Sequence, residues 1–502
     1  EDLCFRFRKF SYYFKKYNCG RALIDVSLDM ISPNQMKKTK IVCTIGPKTE
    51  SAEMLEKLLK AGMNVMRVNF SHGDFAEHQN KVNNLKKAIA KTGIPCAVLQ
   101  DLSGPKFRLG DFYQERVQLK AGDFITLTTE KIVGDEKRVS VNYPTLHQEI
   151  LPGNIIMVDD GKKKFEVVSV NGTEIKCKIL IGGDTKGRRS LNLPGAPLKI
   201  SALTSKDKKD IEFGIKNNVD IFAFSFVRKP SDVVELRKIL DSKKSKAKIM
   251  AKIETVEAVE DFDNILSLVD MVMVARGDLA VELGHENVPT VQKMMIRKCL
   301  KAGKPVVTAT QMLESMIKSP VPTRAEVSDV ANAIYDGTDA VMLSEETTLG
   351  DYPIEAVSVM SRIALKVEND SSHIERVLEM QKTKHHADMR VSDAITSEVV
   401  DVANAVGAKI IVALTESGFT ARMIARYKPT QHIVALTPNA NTANQLLVSY
   451  GCKPILTKKS NDIEKTIELA KSECLKTKMC KKGDRIIISS GPFLPSKKAE
   501  VN

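Results

Sequence analysis

Charged side chains follow several short apolar segments of this sequence, at the points where buried strands would end. Lys252 and Glu254 are two residues apart, so on an extended strand both side chains point to the same face. Asp278 follows the apolar segment that ends at Ala275. Further polar ends are Arg67-Val-Asn69-Phe-Ser71-His72, Asp101 with Arg108 beyond it, Thr310-Gln311 and Ser344-Glu345-Glu346. Acids and cations without a serine or cysteine nucleophile favour metal-assisted phosphoryl or enolate chemistry.

Two of these acids form a candidate site for a divalent cation. Glu254 and Asp278 offer hard oxygen ligands, which suit Mg²⁺ or Mn²⁺ with water and substrate oxygens completing the octahedron. Arg67, Arg108 and Lys252 supply positive charge for a phosphoryl group and for negative charge that develops in a transition state. The sequence therefore predicts a cation-assisted site for an anionic substrate.

The segments that carry these residues alternate with amphipathic stretches, as in a repeated β-α unit. Their continuous Val, Ile and Met runs are typical of parallel strands covered by helices. The predicted strands are Thr39–Gly46, Asn64–Asn69, Pro95–Asp101, Val219–Phe226, Ala247–Glu254, Asp270–Ala275, Pro305–Thr310 and Ala340–Ser344. These eight units predict a (β/α)8 TIM barrel over residues 36–103 and 195–370, with an open doubly wound sheet as the alternative. Thr204 and Asp207 predict a capping box at one of its helices.

Two further regions differ in texture from the barrel. Residues 104–194 alternate apolar and polar side chains at period two, and Asn171-Gly172 is a strong hairpin signal, so we expect a small β-barrel lid domain inserted on the active face. Residues 371–502 resume an α/β pattern and predict an open C-terminal α/β domain. Its expected strands are Lys409–Leu414, His432–Leu436, Cys452–Leu456 and Arg485–Ser490.

Composition excludes several functional classes. No apolar stretch approaches the roughly 20 residues of a membrane span. Nine scattered cysteines without a CxxC pair indicate reduced thiols and a cytoplasmic protein. The net charge of +14 lacks a basic groove with interleaved aromatics, so we expect anionic small molecules and no nucleic acid or membrane as partners. Residues 1–35 are basic and aromatic, and we expect an artefact or dispensable tail, with a targeting segment or an unusual extension as alternatives.

Several motifs resemble the pyruvate kinase family, in order, over residues 36 to about 495. They are KIVCTIGPKTES, GMNVMRVNFSHGD, VDIFAFSFVRKPSD, VMVARGDLAVE, VVTATQMLESMIKSPVPTRAEVSDVANAIYDGTDAVMLS and the lid segment VDDG…LNLPG. The resemblance implies transfer of the phosphoryl group of phosphoenolpyruvate to ADP, giving ATP and pyruvate as the last step of glycolysis. It also implies a homotetramer.

Two rival readings are less consistent with the residues. A magnesium-dependent barrel enzyme of the phosphoenolpyruvate/pyruvate class that makes or breaks C–C bonds would lack the lid and the C-terminal domain. A regulatory or nucleic-acid-binding protein on the same scaffold would be expected to have lost Lys252 or Asp278, and both are present.

The resemblance assigns roles to the catalytic candidates. Arg67 and Lys252 would contact the transferring phosphoryl group, and Glu254 and Asp278 would hold Mg²⁺. Backbone amides from Ala275 through Gly277 to Asp278 would receive the substrate carboxylate. Thr310, with Ser344 behind it in a hydroxyl and water relay, would help protonate the enolate carbon. The residues placed near the nucleotide on the lid side are Arg108, Arg189 and Asp160.

Some positions depart from the family pattern. The family's monovalent-cation site corresponds to Asn69, Ser71, Asp101 and Leu102, and potassium dependence accompanies a glutamate where this chain has Lys106. A lysine ammonium there could supply the charge of K⁺, so we expect K⁺ not to be required. Glu345 and Ala280 stand where glycine is common, and we expect the enzyme to remain active.

An effector site is implied in the C-terminal domain. Its candidate residues are Thr415, Ser417, Gly418, Thr420 and Arg422, between a strand and a helix N-terminus, where amides can bind phosphate. A plain left-handed turn into the helix is the alternative. Glu416 adds negative charge and the tail lacks the family's Gly-Thr-rich loop, so we expect a sugar phosphate or nucleotide monophosphate rather than fructose 1,6-bisphosphate. Arg276 is expected to be a structural partner of Glu282.

Overall fold

The structure of this chain, a computed structural model, describes residues 36–490 apart from 197, 373, 376–389, 460 and 461. The described residues from Lys37 onward belong to one compact unit. The predictions for residues 1–35 and for the C-terminal tail lie outside the described residues. Within them, the cysteines are all free and no helix is both long and apolar enough to cross a membrane.

The strands reproduce the predicted alternation of a barrel, an inserted β region and a C-terminal sheet. In chain order they are β1 (Lys40–Thr44), β2 (Val65–Asn69), β3 (Ala97–Asp101), β4 (Phe107–Arg108), β5 (Val117–Leu119), β6 (Phe124–Thr128), β7 (Arg138–Ser140), β8 (Ile155–Val158), β9 (Lys163–Asn171), β10 (Glu174–Ile181), β11 (Gly183–Thr185), β12 (Ser190–Asn192), β13 (Ile221–Phe224), β14 (Lys248–Ile253), β15 (Met271–Ala275), β16 (Val306–Ala309), β17 (Ala340–Leu343), β18 (Ile410–Leu414), β19 (His432–Thr437), β20 (Cys452–Leu456) and β21 (Ile486–Ser490).

Eight parallel strands close into a barrel in the order β1-β17-β16-β15-β14-β13-β3-β2. The (β/α)8 prediction is confirmed, and the open doubly wound alternative is wrong. Each barrel strand lies within its predicted segment. Every residue of β13, β15, β16 and β17 is buried, as their apolar sequences indicated. Alternate strand residues such as Val42, Leu99 and Met273 form one buried apolar cluster, which places the remaining positions against the surrounding helices.

Helices connect and cover the strands. They are α1 (Ala52–Ala61), α2 (Phe75–Thr92), α3 (Leu146–Glu149), α4 (Ser205–Lys216), α5 (Pro230–Ser242), α6 (Val256–Glu260), α7 (Phe262–Leu268), α8 (Arg276–Leu283), α9 (Val288–Ala302), α10 (Arg324–Tyr335), α11 (Glu345–Thr348), α12 (Pro353–Glu368), α13 (Val391–Ala405), α14 (Phe419–Ala425), α15 (Ala440–Gln445) and α16 (Ile463–Lys476). The capping box predicted for α4 is present: the Thr204 side chain accepts from Asp207 N, and the Asp207 carboxylate accepts from Thr204 N. This reciprocal pair fixes where α4 begins.

The inserted region is a strongly bent sheet in the order β4-β12-β8-β9-β10-β6-β7. Asn171 and Gly172 lie at the β9–β10 turn, as predicted, and Gly172 has a φ of 56° that suits a tight hairpin. The edge strands β4 and β7 meet again, since Gly110 N donates to Ser140 O and Asn142 N donates to Arg108 O. This closure gives the lid the barrel-like form that was expected.

The C-terminal sheet is parallel in the order β20-β19-β18-β21, and segments next to its strands contact the N-terminal end of the barrel strands. Asp339, at the start of β17, accepts from Lys428 Nζ at 2.9 Å and from Tyr450 N at 3.1 Å. Leu447 and Val448 join the same buried cluster as Val42 in the barrel. Polar and apolar contacts therefore both hold this sheet to the barrel.

Glu368, the last residue of α12, binds the chain just before β1, and its replacement tests how much these hydrogen bonds stabilise the fold. Its carboxylate accepts from Lys38 N at 2.7 Å, from Thr39 N at 2.6 Å and from Thr39 Oγ1 at 2.6 Å, and the residue is 4% exposed. Glu368→Ala leaves buried donors without partners, so we expect a loss of about 3–5 kcal/mol in unfolding free energy. Thermal unfolding followed by circular dichroism should show a midpoint lower by roughly 5–15 °C.

The matched control is Glu355→Ala, which removes an exposed acid from the same helix. We expect that variant to change the unfolding free energy by less than about 0.5 kcal/mol. Equal midpoints for the two variants would contradict the role given to Glu368.

Candidate active site

A cavity of about 410 Å³ lies between the lid and the C-terminal ends of the barrel strands. Its lining brings together most of the residues predicted from the sequence: Arg67, Asn69, Ser71, Lys106, Arg108, Asp160, Arg189, Lys252, Glu254 and Asp278. The charged strand ends thus meet in one space. Both signs of charge are present, with cations in excess toward the lid, so the cavity suits an anionic ligand.

Lys252 stands at the base of the cavity among three acceptors. Its Nζ lies 2.6 Å from Ser225 Oγ, 2.9 Å from Glu254 Oε1 and 3.3 Å from Asp101 Oδ1. Burial alone would lower the pKa of Lys252, but the carboxylates of Asp101 and Glu254 outweigh it and raise that pKa. These two carboxylates therefore favour the charged, ammonium form of Lys252.

Arg67 is held beside the same acids. Its Nε donates to Asp101 Oδ2 at 2.7 Å, and its Nη1 donates to Thr44 Oγ1 at 2.7 Å. Burial would raise the pKa of Asp101, yet Lys252 and Arg67 together hold it below its usual value. Both oxygens of Asp101, a predicted cation ligand, are thus already engaged by cations of the protein.

Glu254 and Asp278 have the chemistry expected of a divalent-cation site. Glu254 Oε2 accepts from Phe226 N at 2.7 Å, whereas the buried Oε1 forms the 2.9 Å ion pair with Lys252 Nζ and accepts no well-aligned hydrogen bond from any described residue. Burial raises the pKa of both carboxyls, and the negative charge of Asp278 raises that of Glu254 further. Among the described residues no group of three or more acidic, histidine or cysteine ligands exists, so a cation here would draw its remaining ligands from water and substrate.

Lys106 occupies the cavity wall beside the predicted monovalent-cation residues. Its Nζ makes no hydrogen bond or ion pair with the described part of the chain. Lys106 is exposed, yet partial desolvation at the cavity wall lowers its pKa and the nearby Lys252 lowers it further, while Asp278 and Asp101 act in the opposite direction. Asn69 and Ser71 line the same cavity and are tied to each other through Ser71 N and Asn69 Oδ1 at 3.1 Å, and Leu102 is buried directly after β3.

The loop after β16 touches the start of α8 next to the cavity. Thr310 Oγ1 accepts from Gly277 N at 2.9 Å, and Thr310 has a φ of 71°, which is strained for a β-branched residue. Thr310, Ala275 and Gly277 are absent from the cavity lining, so they border the site rather than form its wall. Ser344 likewise lies outside the lining, and its amide donates to Glu346 Oε2 at 2.7 Å.

The predicted pairing of Arg276 with Glu282 is wrong. Arg276 forms two hydrogen bonds with Asp329 on α10, at 2.8 and 2.7 Å, and also donates to Thr310 O at 2.7 Å. It is a structural partner, as expected, but of another residue. Glu282 instead lines the cavity, where burial and the negative charge of Glu257 raise its pKa to about 8.

The lid contributes the three residues predicted for the nucleotide. Arg108 and Arg189 line the cavity with Asp160. Asp160 Oδ1 accepts from Ser190 Oγ at 2.7 Å, and Arg189 Nε lies 3.5 Å from Asp159 Oδ1. Asp160 therefore faces the barrel from a fixed position in the β8–β9 turn.

The candidate effector residues lie in the C-terminal domain, away from this cavity. Gly418, with a φ of 79°, precedes α14, Arg422 Nη1 donates to Ser417 O at 3.1 Å, and Thr415 N pairs with Leu436 O. Thr420 lies in the first turn of α14. Lys459 forms an ion pair with Glu416, which offsets the negative charge noted in the sequence.

Sequence reasoning missed several polar residues that contact or line the site, among them Thr44, Ser225 and Arg228. Ser225 and Arg228 line the cavity, and Thr44 holds Arg67. Their only signal was a polar residue within or directly after an apolar strand. Of the two positions where the family has glycine, Glu345 is exposed and Ala280 is half-buried.

Comparisons with known proteins agree with this geometry. Residues 36–357 match the family model for the pyruvate kinase barrel domain, and residues 393–499 match that for the pyruvate kinase alpha/beta domain. The pyruvate kinase of Staphylococcus saprophyticus is 45% identical over 460 residues, which cover 91% of this chain and 78% of that protein. The pyruvate kinase of Clostridium perfringens is 42% identical over 461 residues, covering 91% and 96%.

A solved structure gives the same result for the fold. The crystal structure of a pyruvate kinase from Cryptosporidium parvum superimposes with a TM-score of 0.87 at 37% identity, covering 91% of this chain and 94% of that one. Family models and relatives both span the barrel and the C-terminal domain. The chain therefore belongs to the pyruvate kinase family and is a phosphotransferase.

Proposed function

We propose that this chain transfers the phosphoryl group of phosphoenolpyruvate to ADP, giving ATP and pyruvate. The observation that carries the proposal is Lys252, a buried ammonium held between two carboxylates at the base of a cavity lined by Arg67, Lys106 and Arg108. Fixed cations in a water-poor site stabilise charge that develops on a transferring phosphoryl group, without reorganisation at the moment of reaction.

The proposed roles are those that the family resemblance implies, and the positions of the side chains are compatible with them. Lys252 and Arg67 contact the phosphoryl group from the barrel side, and Arg108, Arg189 and Asp160 approach the nucleotide from the lid. The backbone amides from Ala275 to Asp278 lie at the N-terminus of α8, where a carboxylate is favoured. In this structure one of them, Gly277 N, is bound to Thr310 Oγ1. A substrate carboxylate that takes this amide would release the Thr310 hydroxyl.

Thr310 is also the proposed route of the proton to the enolate carbon. Its hydroxyl stands next to the α8 amides that would hold the substrate carboxylate, and it donates to Ala309 O at 2.6 Å. Ser344, at the end of the last barrel strand, would continue the relay through water. Arg276 supports this arrangement because it holds the Thr310 carbonyl in place.

Glu254 and Asp278 are the proposed ligands of Mg²⁺ or Mn²⁺. Glu254 Oε1 is buried and meets the ammonium of Lys252 at 2.9 Å without a well-aligned hydrogen bond, and both carboxyls have a raised pKa, so a hard divalent cation would share this carboxylate with Lys252. When bound, such a cation supplies Lewis acidity and neutralises charge on substrate oxygens. The proposed catalytic unit is the barrel of residues 36–103 and 195–370 together with the lid of residues 104–194.

The activity is tested by a coupled assay that measures pyruvate formed from phosphoenolpyruvate. We expect turnover only when ADP and a divalent cation are both present. Lys252→Met removes the ammonium that meets the phosphoryl group, so kcat should fall by about 100- to 1000-fold or more. The control Lys248→Met changes a lysine at the opposite end of β14, and it should retain activity. Turnover without ADP, or full activity of Lys252→Met, would contradict the proposal.

We also propose that K⁺ is not required. Lys106 lines the cavity close enough to Asp101 and Asp278 for their charges to affect its pKa, so its ammonium can take the electrostatic role of a monovalent cation. Asp101, one of the family's cation ligands, already has its oxygens engaged by Arg67, Lys252 and Ser225. A further cation would therefore bind with less benefit.

Potassium dependence is tested by replacing K⁺ with tetramethylammonium at constant ionic strength. The natural chain should keep its activity within about twofold. Lys106→Glu should create a requirement in which K⁺ raises turnover by on the order of tenfold, the equivalent of about 1.4 kcal/mol. Lys162→Glu, an equal charge change on the exposed lid surface, should create none. A many-fold effect of K⁺ on the natural chain would overturn the proposal.

Regulation, assembly and compartment complete the proposed function. We propose that Thr415, Ser417, Gly418, Thr420 and Arg422 bind the phosphate of a sugar monophosphate or nucleotide monophosphate, that the chain forms a homotetramer, and that it acts in the cytoplasm. Support for the effector site comes from the pairing of Glu416 with Lys459 and from Arg422, whose Nη1 lies against Ser417 O beside the loop; the left-handed turn at Gly418 is equally what the plain-turn alternative requires. These contacts leave the loop hydroxyls and the first amides of α14 as candidate anion donors.

Effector binding is tested by phosphoenolpyruvate saturation curves with AMP, glucose 6-phosphate and fructose 1,6-bisphosphate. We expect a monophosphate to shift the curve and the bisphosphate to have the smaller effect. Thr420→Glu places a carboxylate at the helix start and should abolish the shift by charge repulsion, whereas Ser472→Glu on the exposed face of α16 should preserve it. A response only to the bisphosphate, or to none of the three, would refute the assignment.

A further inference from the structure

The fourth barrel strand, β13, ends at Phe224, and the two residues that follow touch Lys252 of β14 and Glu254 directly after it. Ser225 Oγ accepts a hydrogen bond from Lys252 Nζ at 2.6 Å. Phe226 N donates to Glu254 Oε2 at 2.7 Å. This β13 corner, Ser225 and Phe226, therefore contacts the ammonium and the carboxylate on which the proposed reaction depends.

The β13 corner is fixed by its surroundings. Phe226 has a φ of 54°, an uncommon conformation for a bulky residue, and such strain persists only where neighbours enforce it. A Cβ on Gly104 would lie 2.9 Å from Phe226 Cδ2 and 3.2 Å from Ser225 O, so the Gly104 backbone packs directly on the corner. Gly104 N is in turn held by Asp207 of the α4 capping box at 3.1 Å. Ser225 is 2% exposed and has little freedom to move.

Ser225 gives Lys252 an acceptor of a different kind from the other two. Glu254 and Asp101 attract the ammonium as anions, and each partly neutralises it. The Ser225 hydroxyl is uncharged; it accepts from Lys252 and donates to Asp101 Oδ1 at 3.2 Å. It therefore fixes one of the three N–H directions of the ammonium without cancelling its charge, and it occupies a lone pair of the competing carboxylate.

We propose that Ser225 is a positioning residue for phosphoryl transfer, because its hydroxyl holds the ammonium of Lys252 in the orientation that meets the transferring group. This inference rests on the proposed function, specifically on the role given to Lys252. In this proposal Ser225 neither binds the substrate nor transfers a proton during the reaction. Its effect is exerted entirely through Lys252 and Asp101.

The test compares Ser225→Ala with the natural chain in the pyruvate-forming assay. Loss of a hydrogen bond to a charged group should lower kcat by about 10- to 100-fold. KM for phosphoenolpyruvate should stay within about threefold, because Arg67 and the α8 amides still bind the substrate. Ser397→Ala is the matched control, since Ser397 is equally buried and its hydroxyl has no partner among the described residues. It should leave kcat unchanged.

A double-mutant cycle separates positioning from packing. If Ser225 acts through Lys252, Ser225→Ala should not reduce further the residual activity of Lys252→Met. Thermal unfolding will show whether Ser225→Ala folds poorly. In that case Ser225→Cys, which fills nearly the same space with a weak acceptor, tests whether the hydroxyl positions Lys252. We expect its kcat to fall at least several-fold at an unchanged unfolding midpoint.

The outcomes distinguish this inference from the function on which it rests. A natural chain that forms no pyruvate would refute the proposed function. An active natural chain with an inactive Lys252→Met, but with Ser225→Ala and Ser225→Cys within twofold of wild type, would leave that function intact and overturn the role of Ser225. A rise in KM without a fall in kcat, or a further loss in the Lys252→Met background, would also overturn it.

Discussion

A cluster of buried charges at the mouth of the barrel sets the constraints for the rest of the structure. Lys252, Arg67, Asp101 and Glu254 come from three strands and are nearly excluded from water. Removing one partner from such a cluster leaves an uncompensated charge in a medium of low dielectric constant, which costs several kcal/mol. The strands must therefore hold these groups within hydrogen-bond distance of one another. A closed parallel barrel does so, because its rigid strands all end at the same rim.

The same cluster explains why the acids of the site are divided in their tasks. Asp101 is committed to cations of the protein, and its pKa is low. Glu254 and Asp278 lie nearby, and burial raises the pKa of both; the charge of Asp278 adds to this for Glu254, and the charges of Asp160 and Asp101 add to it for Asp278. Both oxygens of Asp101 neutralise fixed cations. Asp278, and Glu254 in spite of its ion pair with Lys252, keep a raised pKa and are therefore stabilised by an added positive charge.

Much of this arrangement could be predicted from the sequence, and the failures have physical reasons. Strand ends were predictable because a buried apolar run that stops at a charge marks the rim of a parallel sheet. The partner of Arg276 was not, because Asp329 is 53 residues away and is brought near only by the packing of α10 against the rim. Ser225 escaped notice because a serine within "FAFSFVRK" looks the same in sequence whether its hydroxyl packs idly or binds an ammonium.

At the opposite end of the barrel, the contacts with the C-terminal domain show how far the barrel depends on that domain. Leu447 and Val448 complete the apolar filling of the barrel strands, and Asp339 is shared between Lys428 and Tyr450 of the C-terminal part and Val306 of β16. The segment before β20 thus completes the hydrophobic core at this end of the barrel, and the barrel without the C-terminal domain would lack that part of its core. The two added domains therefore differ in how far they depend on the barrel. The lid is inserted in one loop of the barrel and has a hydrophobic core of its own. A C-terminal domain exchanged between relatives would have to bring residues equivalent to Leu447 and Val448, and the barrel that receives it would need the equivalent of Asp339.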